Sequence, residues 1–216
     1  MDYQLPDPLF FTTPSDYLAR AAPSYEEFLK ALTERPDYFP DYLEELAQAN
    51  DLDYSEYEDV SAELLEVAAA VAPAMAEKIW DKEVLKQQTW PFETDNDRLD
   101  AAYAQLAPTI VGHHDEWCCN SCAWVDYETK AEKGMYPDAE GYVFYNEQSS
   151  EKAYDSHRGL LLYFNSIPSS EEGSKAVARK VFDALKDQGL KVEWSENSET
   201  YIEVPMLWQR RLTPRS

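Results

Sequence analysis

The sequence predicts an α+β protein, in which an amino-terminal helical region is followed by a mixed, mainly antiparallel sheet packed by helices. Three observations predict it. Apolar residues in the first ninety positions recur at three- and four-residue spacing between prolines, the pattern changes at Trp90-Pro91, and beyond it short runs rich in Val, Ile, Phe and Tyr alternate with capped helical segments. The reading divides the chain into an acidic helical region, residues 1–89, and an α+β domain, residues 90–216. With 216 residues, 44% of them hydrophobic, such a chain can bury a core without needing a disulfide or a metal to fold.

The elements follow in order. Thr13-Pro14 is placed to cap a short helix ending near Ala22, and Ser24 with Glu27 signals a capping box for a helix that stops before Pro36. Another helix begins at Pro40 or Asp41, since proline suits the first turn. From Ser61 to about Gln88, Leu64, Ala68, Val71, Met75 and Ile79 form one apolar stripe, with a kink expected at Pro73. Thr94 and Asp97 cap the next helix, on which Leu99, Ala102, Tyr103 and Leu106 share a face. Strands are expected at 109–111, 122–128 (CAWVDYE), 141–148 (GYVFYNEQ) and 160–164 (LLLYF). Ser170 caps a helix with acids in its first turn, a stripe of Val177, Val181, Phe182 and Leu185, and a left-handed stop at Gly189. KVEWS and TYIEVPMLW then pair as a hairpin across Glu196–Glu199.

Charge limits the partners. The net charge is −23, and residues 1–95 carry 22 acids against 6 bases. Nucleic acid and anionic membrane are excluded as partners by that field, because both are bound through Lys and Arg. A basic protein would be attracted. The start, MDYQLPDPLFF, lacks a cationic leader, and no apolar run approaches the roughly 18 residues of a membrane span. Three cysteines within five positions fit reduced thiols, so the chain is expected in the cytoplasm.

Two segments are candidates for function. NDLDYSEYED, residues 50–59, sits in a stretch from Arg35 to Lys78 that holds twelve acids and no base between those two residues. Asp51, Asp53, Ser55, Tyr57 and Asp59 fall at alternate ligand positions of a calcium loop, but Glu56 replaces the required glycine and Ala62 stands where the bidentate Glu belongs. That leaves a solvated loop, or a partner-binding surface in which Asp51, Asp53, Glu56, Glu58 and Asp59 steer and Tyr54 and Tyr57 anchor. The second segment is HHDEWCCNSC, residues 113–122. Cys119-x-x-Cys122 has the spacing of half a zinc site, to which His113 or His114, with His114 the chosen candidate, could add a nitrogen, whereas Cys118 is a poor co-ligand beside its immediate neighbour. Ala123 stands where a zinc knuckle places glycine, which argues for thiols without metal. Asp115 and Glu116 oppose thiolate formation, so a cysteine nucleophile is disfavoured. GxSxG, Walker, GxGxxG and HExxH motifs are absent from the sequence.

WPFETDNDRLDAAYAQLAPTIV, CCNSCA, GYVFYNEQSSEKA, LLLYF, AVARKVFDALKDQGLKVEWS and IEVPMLWQRR, in that order, resemble the bacterial family known as domain of unknown function 6891, over about residues 90–211. The resemblance implies one α+β unit and a bacterial origin, and lends no activity and no catalytic residue. The resulting expectation is a non-enzymatic protein that binds a basic partner, with an inhibitor or immunity protein for a toxin as its most specific form and no cofactor. The alternative is a zinc-binding or thiol-dependent domain that uses the CCNSC cluster.

Overall fold

The structure is a computed structural model and describes residues 3–6, 17–18, 24–55, 58–107, 109–113, 117–154 and 159–215. The chain forms two compact units: residues 1–90 with 211–216, and residues 91–210.

The first unit is helical. Helix α1 (Tyr25–Glu34) starts where the Ser24 hydroxyl accepts the Glu27 N–H, and it buries Phe28 and Leu32. After a 3₁₀ turn at Pro36–Tyr38, α2 (Pro40–Ala49) buries Tyr42, Leu43, Leu46 and Ala47. Helix α3 (Ala62–Lys86) is capped by Ser61 and runs through Pro73. Pro73 and Ala69 both lie on its exposed face, where water can take up the carbonyl that the missing proline N–H leaves unbonded. The expected stripe, Leu64, Ala68, Val71, Met75 and Ile79, is buried along α3 against α1 and α2.

Residues 211–215 complete this unit. Leu212 joins its core, the Leu212 N–H donates to Gln87 Oε1 at 3.0 Å, and the Trp80 indole N–H donates to the Thr213 carbonyl at 3.0 Å. Arg215 pairs with Asp81 and Glu77 and lies over the Tyr25 ring. Of the helix expected before Ala22, Tyr17 and Leu18 are helical and Leu18 is buried, while the remainder lies outside the described residues.

The second unit is a four-stranded sheet of order β1-β2-β3-β4 with helices on both faces. Helix α4 (Asp95–Leu106) opens with a complete Thr94/Asp97 capping box and leads into β1 (Ile110–His113). Helix α5 (Asn120–Glu132) crosses over to β2 (Gly141–Phe144), which lies parallel to β1. A short helix, α6 (Glu147–Tyr154), precedes β3 (Leu160–Ser166), antiparallel to β2. Helix α7 (Glu171–Asp187) and β4 (Ile202–Val204) follow, with β4 antiparallel to β3. All four β2 residues are buried, as a strand covered on both faces requires. Tyr142 and Phe144 pack with Tyr127 of α5, whereas an added Cβ on Gly141 would meet Val177 of α7.

Three sequence expectations are corrected. CAWVDYE is helix, not strand, because Ala123 and Tyr127 lie one helical turn apart and both reach the aromatic core on β2. Strand character in GYVFYNEQ ends at Phe144, and α6 takes over at Glu147. The hairpin shrinks to a single bridge, Glu193 with Glu203, on one edge of Ile202–Val204, while the other edge of that strand pairs with β3.

Candidate functional site

The acidic segment opens with a helix stop. Asp51 takes a left-handed conformation, φ 57°, just past the end of α2, and the Leu52 N–H donates to the Ala47 carbonyl at 2.9 Å. This is the bond pattern of a Schellman ending, with Asp tolerating the conformation usually left to Gly or Asn. The Asn50 side chain holds the same corner, donating to the Leu46 and Gln4 carbonyls and accepting the Gln4 N–H. Asp51 thus has a main-chain reason for its place. Glu56 and Tyr57 lie outside the described residues.

The rest of the segment borders a concavity. Tyr54, Glu58, Asp59 and Leu65 line a depression of about 520 Å³ whose other wall carries Glu34 and Asp37. A contiguous hollow of about 360 Å³ adds Asp53 and Ser55. Sequence reasoning did not foresee Glu34 and Asp37, which come from the end of α1 and the turn after it. Asp37 is engaged by Arg35, whose guanidinium holds its carboxyl below the ordinary value and also covers the Tyr38 ring. Asp53, Glu58 and Asp59 are exposed, and among the described residues no ion pair reaches them.

The second unit gathers the chain's three cysteines. Cys119 is the N-cap of α5, Cys118 precedes it and Cys122 is at the third helical position. An N-cap side chain and the side chain three residues on face each other across the first turn, the relation a capping box uses. The Cys122 sulfur is 3.7 Å from both Cys118 Sγ and Cys119 Sγ, and the three sulfurs all lie within 4.8 Å of one another. All three thiols are free, Cys118 and Cys122 are exposed, and Cys119 is half-buried. The Cys122 N–H, with the Cys122 and Cys118 thiols, lowers the Cys119 pKa, and the Cys119 and Cys118 thiols push Cys122 up to about 11.

The cluster is anchored on both sides. Trp117 packs on Tyr127 and Phe144, its carbonyl accepts the Glu147 N–H at 3.0 Å, and Asn120 Oδ1 accepts from the Asn146 amide. Asn146 and Glu147 lie two and three residues past the end of β2, so the thiols stand where the crossover from β1 begins and beside the chain leaving β2. The sequence paired Cys119 and Cys122 with His114. His114 lies outside the described residues, and Cys118 stands with the other two thiols. The objection from Ala123 also lapses, because Ala123 is helical and buried and needs no left-handed turn.

These features define an α+β protein of two units, one bearing an acidic hollow and the other a thiol triad. The family model described as a domain of unknown function (DUF6891) matches residues 38–212, and the chain belongs to that family. The match begins inside the helical unit, well before residue 90. No curated protein and no solved structure matches the chain. Among the described residues, no helix is long and apolar enough to cross a membrane.

Proposed function

We propose that this is a non-enzymatic, cytoplasmic bacterial protein whose helical unit receives a basic protein surface. In its most specific form it is an inhibitor or immunity protein that covers a cationic toxin. The observation that carries this reading is the meeting of Asp53, Glu58 and Asp59 with Tyr54 and Leu65 around two hollows that share Tyr54, Glu58 and Asp59. Carboxylates around a hollow focus the field of a region with 22 acids and 6 bases, which raises the encounter rate with a cation. Tyr54 and Leu65 supply apolar area in the same place, so an arriving Lys or Arg can lay its stem on them while its head meets a carboxylate. The same field repels nucleic acid and anionic membrane. The free thiols support a reducing compartment.

The test compares the wild-type protein with the triple variant Asp53→Asn/Glu58→Gln/Asp59→Asn as bait in extract from the native host. A basic protein held by wild type at low salt, lost at high salt and not held by the variant is the expected result. Equal capture by the two baits, or capture of no basic protein, overturns the reading.

A further inference from the structure

We propose that Cys118, Cys119 and Cys122 form a three-thiolate site for a thiophilic closed-shell cation, with zinc as its occupant. The site is independent of the acidic hollow and lies in the other unit.

The spacing comes first. Tetrahedral zinc holds thiolate sulfur at about 2.3 Å, so two sulfurs on one zinc are about 3.8 Å apart. Cys122 Sγ stands 3.7 Å from each of the other two sulfurs, and the third separation is within 4.8 Å. Two of the three separations thus match the edges of a coordination tetrahedron, and the third is short enough for a small adjustment of the exposed Cys118 side chain to close the face. A disulfide would need a separation of about 2.05 Å, and these thiols are free.

The surroundings explain how the spacing is held. Cys119 and Cys122 are fixed relative to one another by the first turn of α5, closed by the Ala123 N–H to Cys119 carbonyl bond at 3.3 Å. Trp117 fixes the approach to Cys118 through its contacts with Tyr127 and Phe144. Asn120 ties the start of the helix to Asn146 beyond β2. The thiols themselves contribute little to packing, since two of the three are exposed. Cysteine is ordinarily among the most buried residues, and thiol–thiol hydrogen bonds are weak. Holding every cysteine of the chain at one exposed corner is explained by reactivity toward a ligand rather than by core formation.

Charge and softness select the ligand. Zn²⁺ with three thiolates carries a net charge of −1, which suits the positive end of a 13-residue helix. Sulfur donors favour zinc and other soft ions over magnesium or calcium. The fourth position can be taken by water or by another donor.

Metal-free, fully reduced protein, purified without a histidine tag, is titrated with Co²⁺ and then with Zn²⁺. The expected result is a sulfur-to-cobalt charge-transfer band with the visible bands of a tetrahedral thiolate site, saturating at one cobalt per chain and displaced by zinc. Zinc should also protect all three thiols from a disulfide reagent that modifies all three in the metal-free protein. Cys118→Ser, Cys119→Ser and Cys122→Ser, near-isosteric changes in a half-buried to exposed cluster, should each weaken binding by on the order of a hundredfold or more, above the range typical of an outer-shell loss. Circular dichroism identifies any variant that has not folded, and the thiol-protection readout on the unaltered protein does not depend on the variants. Absence of the charge-transfer band, thiols equally reactive with and without zinc, or wild-type affinity in Cys118→Ser overturns the proposal.

Discussion

Replacing Gly141 with Ala tests how the sheet carries α7 on one face. An ideal Cβ on Gly141 would stand 2.4 Å from the Asn165 carbonyl oxygen, 2.5 Å from Val177 Cγ2 and 3.2 Å from Ser166 Cα. Ordinary carbon contacts are about 3.5–4.0 Å, so β3 and α7 would each have to retreat by about 1 Å. Gly141 pairs with Ser166 in the β2–β3 ladder, so the first obstacle is backbone and cannot rotate away. Overpacking costs about 1–3 kcal/mol, and two opposed walls put Gly141→Ala near 3 kcal/mol. The second unit has 120 residues, and an unfolding entropy of about 2.1 cal/mol/K per residue turns that cost into a fall in Tm of about 12 °C. Val177→Ala removes one wall, so the double variant should be less destabilised than the sum of the singles by about 1 kcal/mol. Scanning calorimetry gives the Tm, and hydrogen exchange of peptides from β2 and β3 locates the loss. A Gly141→Ala protein that melts within about 2 °C of wild type, or a strictly additive double variant, refutes the packing described.

Two further outcomes concern the helical unit. Leu212→Ala should cost about 2–3 kcal/mol, at the lower end for a core leucine because Leu212 stays 7% exposed, and a changed Trp80 emission should accompany the loosened Thr213 contact. Arg215→Ala should cost more at neutral pH than in acid, where the contact of Arg215 with the Tyr25 ring remains. Arg215 holds the Asp81 pKa below its ordinary value, so the pair's stabilisation is full above the unfolded value of about 3.9 and is lost as pH falls through the folded value. The gap in melting temperature between wild type and variant should therefore narrow below about pH 4, and the neutral-pH gap should shrink with salt because the pair is exposed. A gap as wide in acid as at neutral pH rejects the ion-pair account.

Where a local chemical signal existed, the fold was legible. Ser24, Ser61, Thr94 and Ser170 each cap the helix that their sequence context announces, because capping involves residues only three apart. The misreading of residues 122–128 has a different origin. Trp124, Val125 and Tyr127 are residues that strands favour, and the preference yields to the aromatic packing of Tyr127 on Tyr142 at 4.0 Å. Helix α6 gave little signal, since Ser149 and Ser150 are among its buried residues and no apolar stripe marks it. The partnership of β3 with β4 spans some forty residues and has no local signature. At the thiol cluster, the helix that starts at Asn120 carries Cys122 back to 3.7 Å from both Cys118 and Cys119, a proximity that chain adjacency alone does not show. Glu34 and Asp37 were invisible as partners of the acidic loop because only the tertiary path brings α1 beside it.

The return of Leu212 to the helical core has a consequence for biosynthesis. A ribosome translates the first ninety residues long before it reaches the leucine that fills their interior. Nascent α1, α2 and α3 therefore lack Leu212 from their core until the intervening sheet has been translated. The helical unit closes late although it is made early.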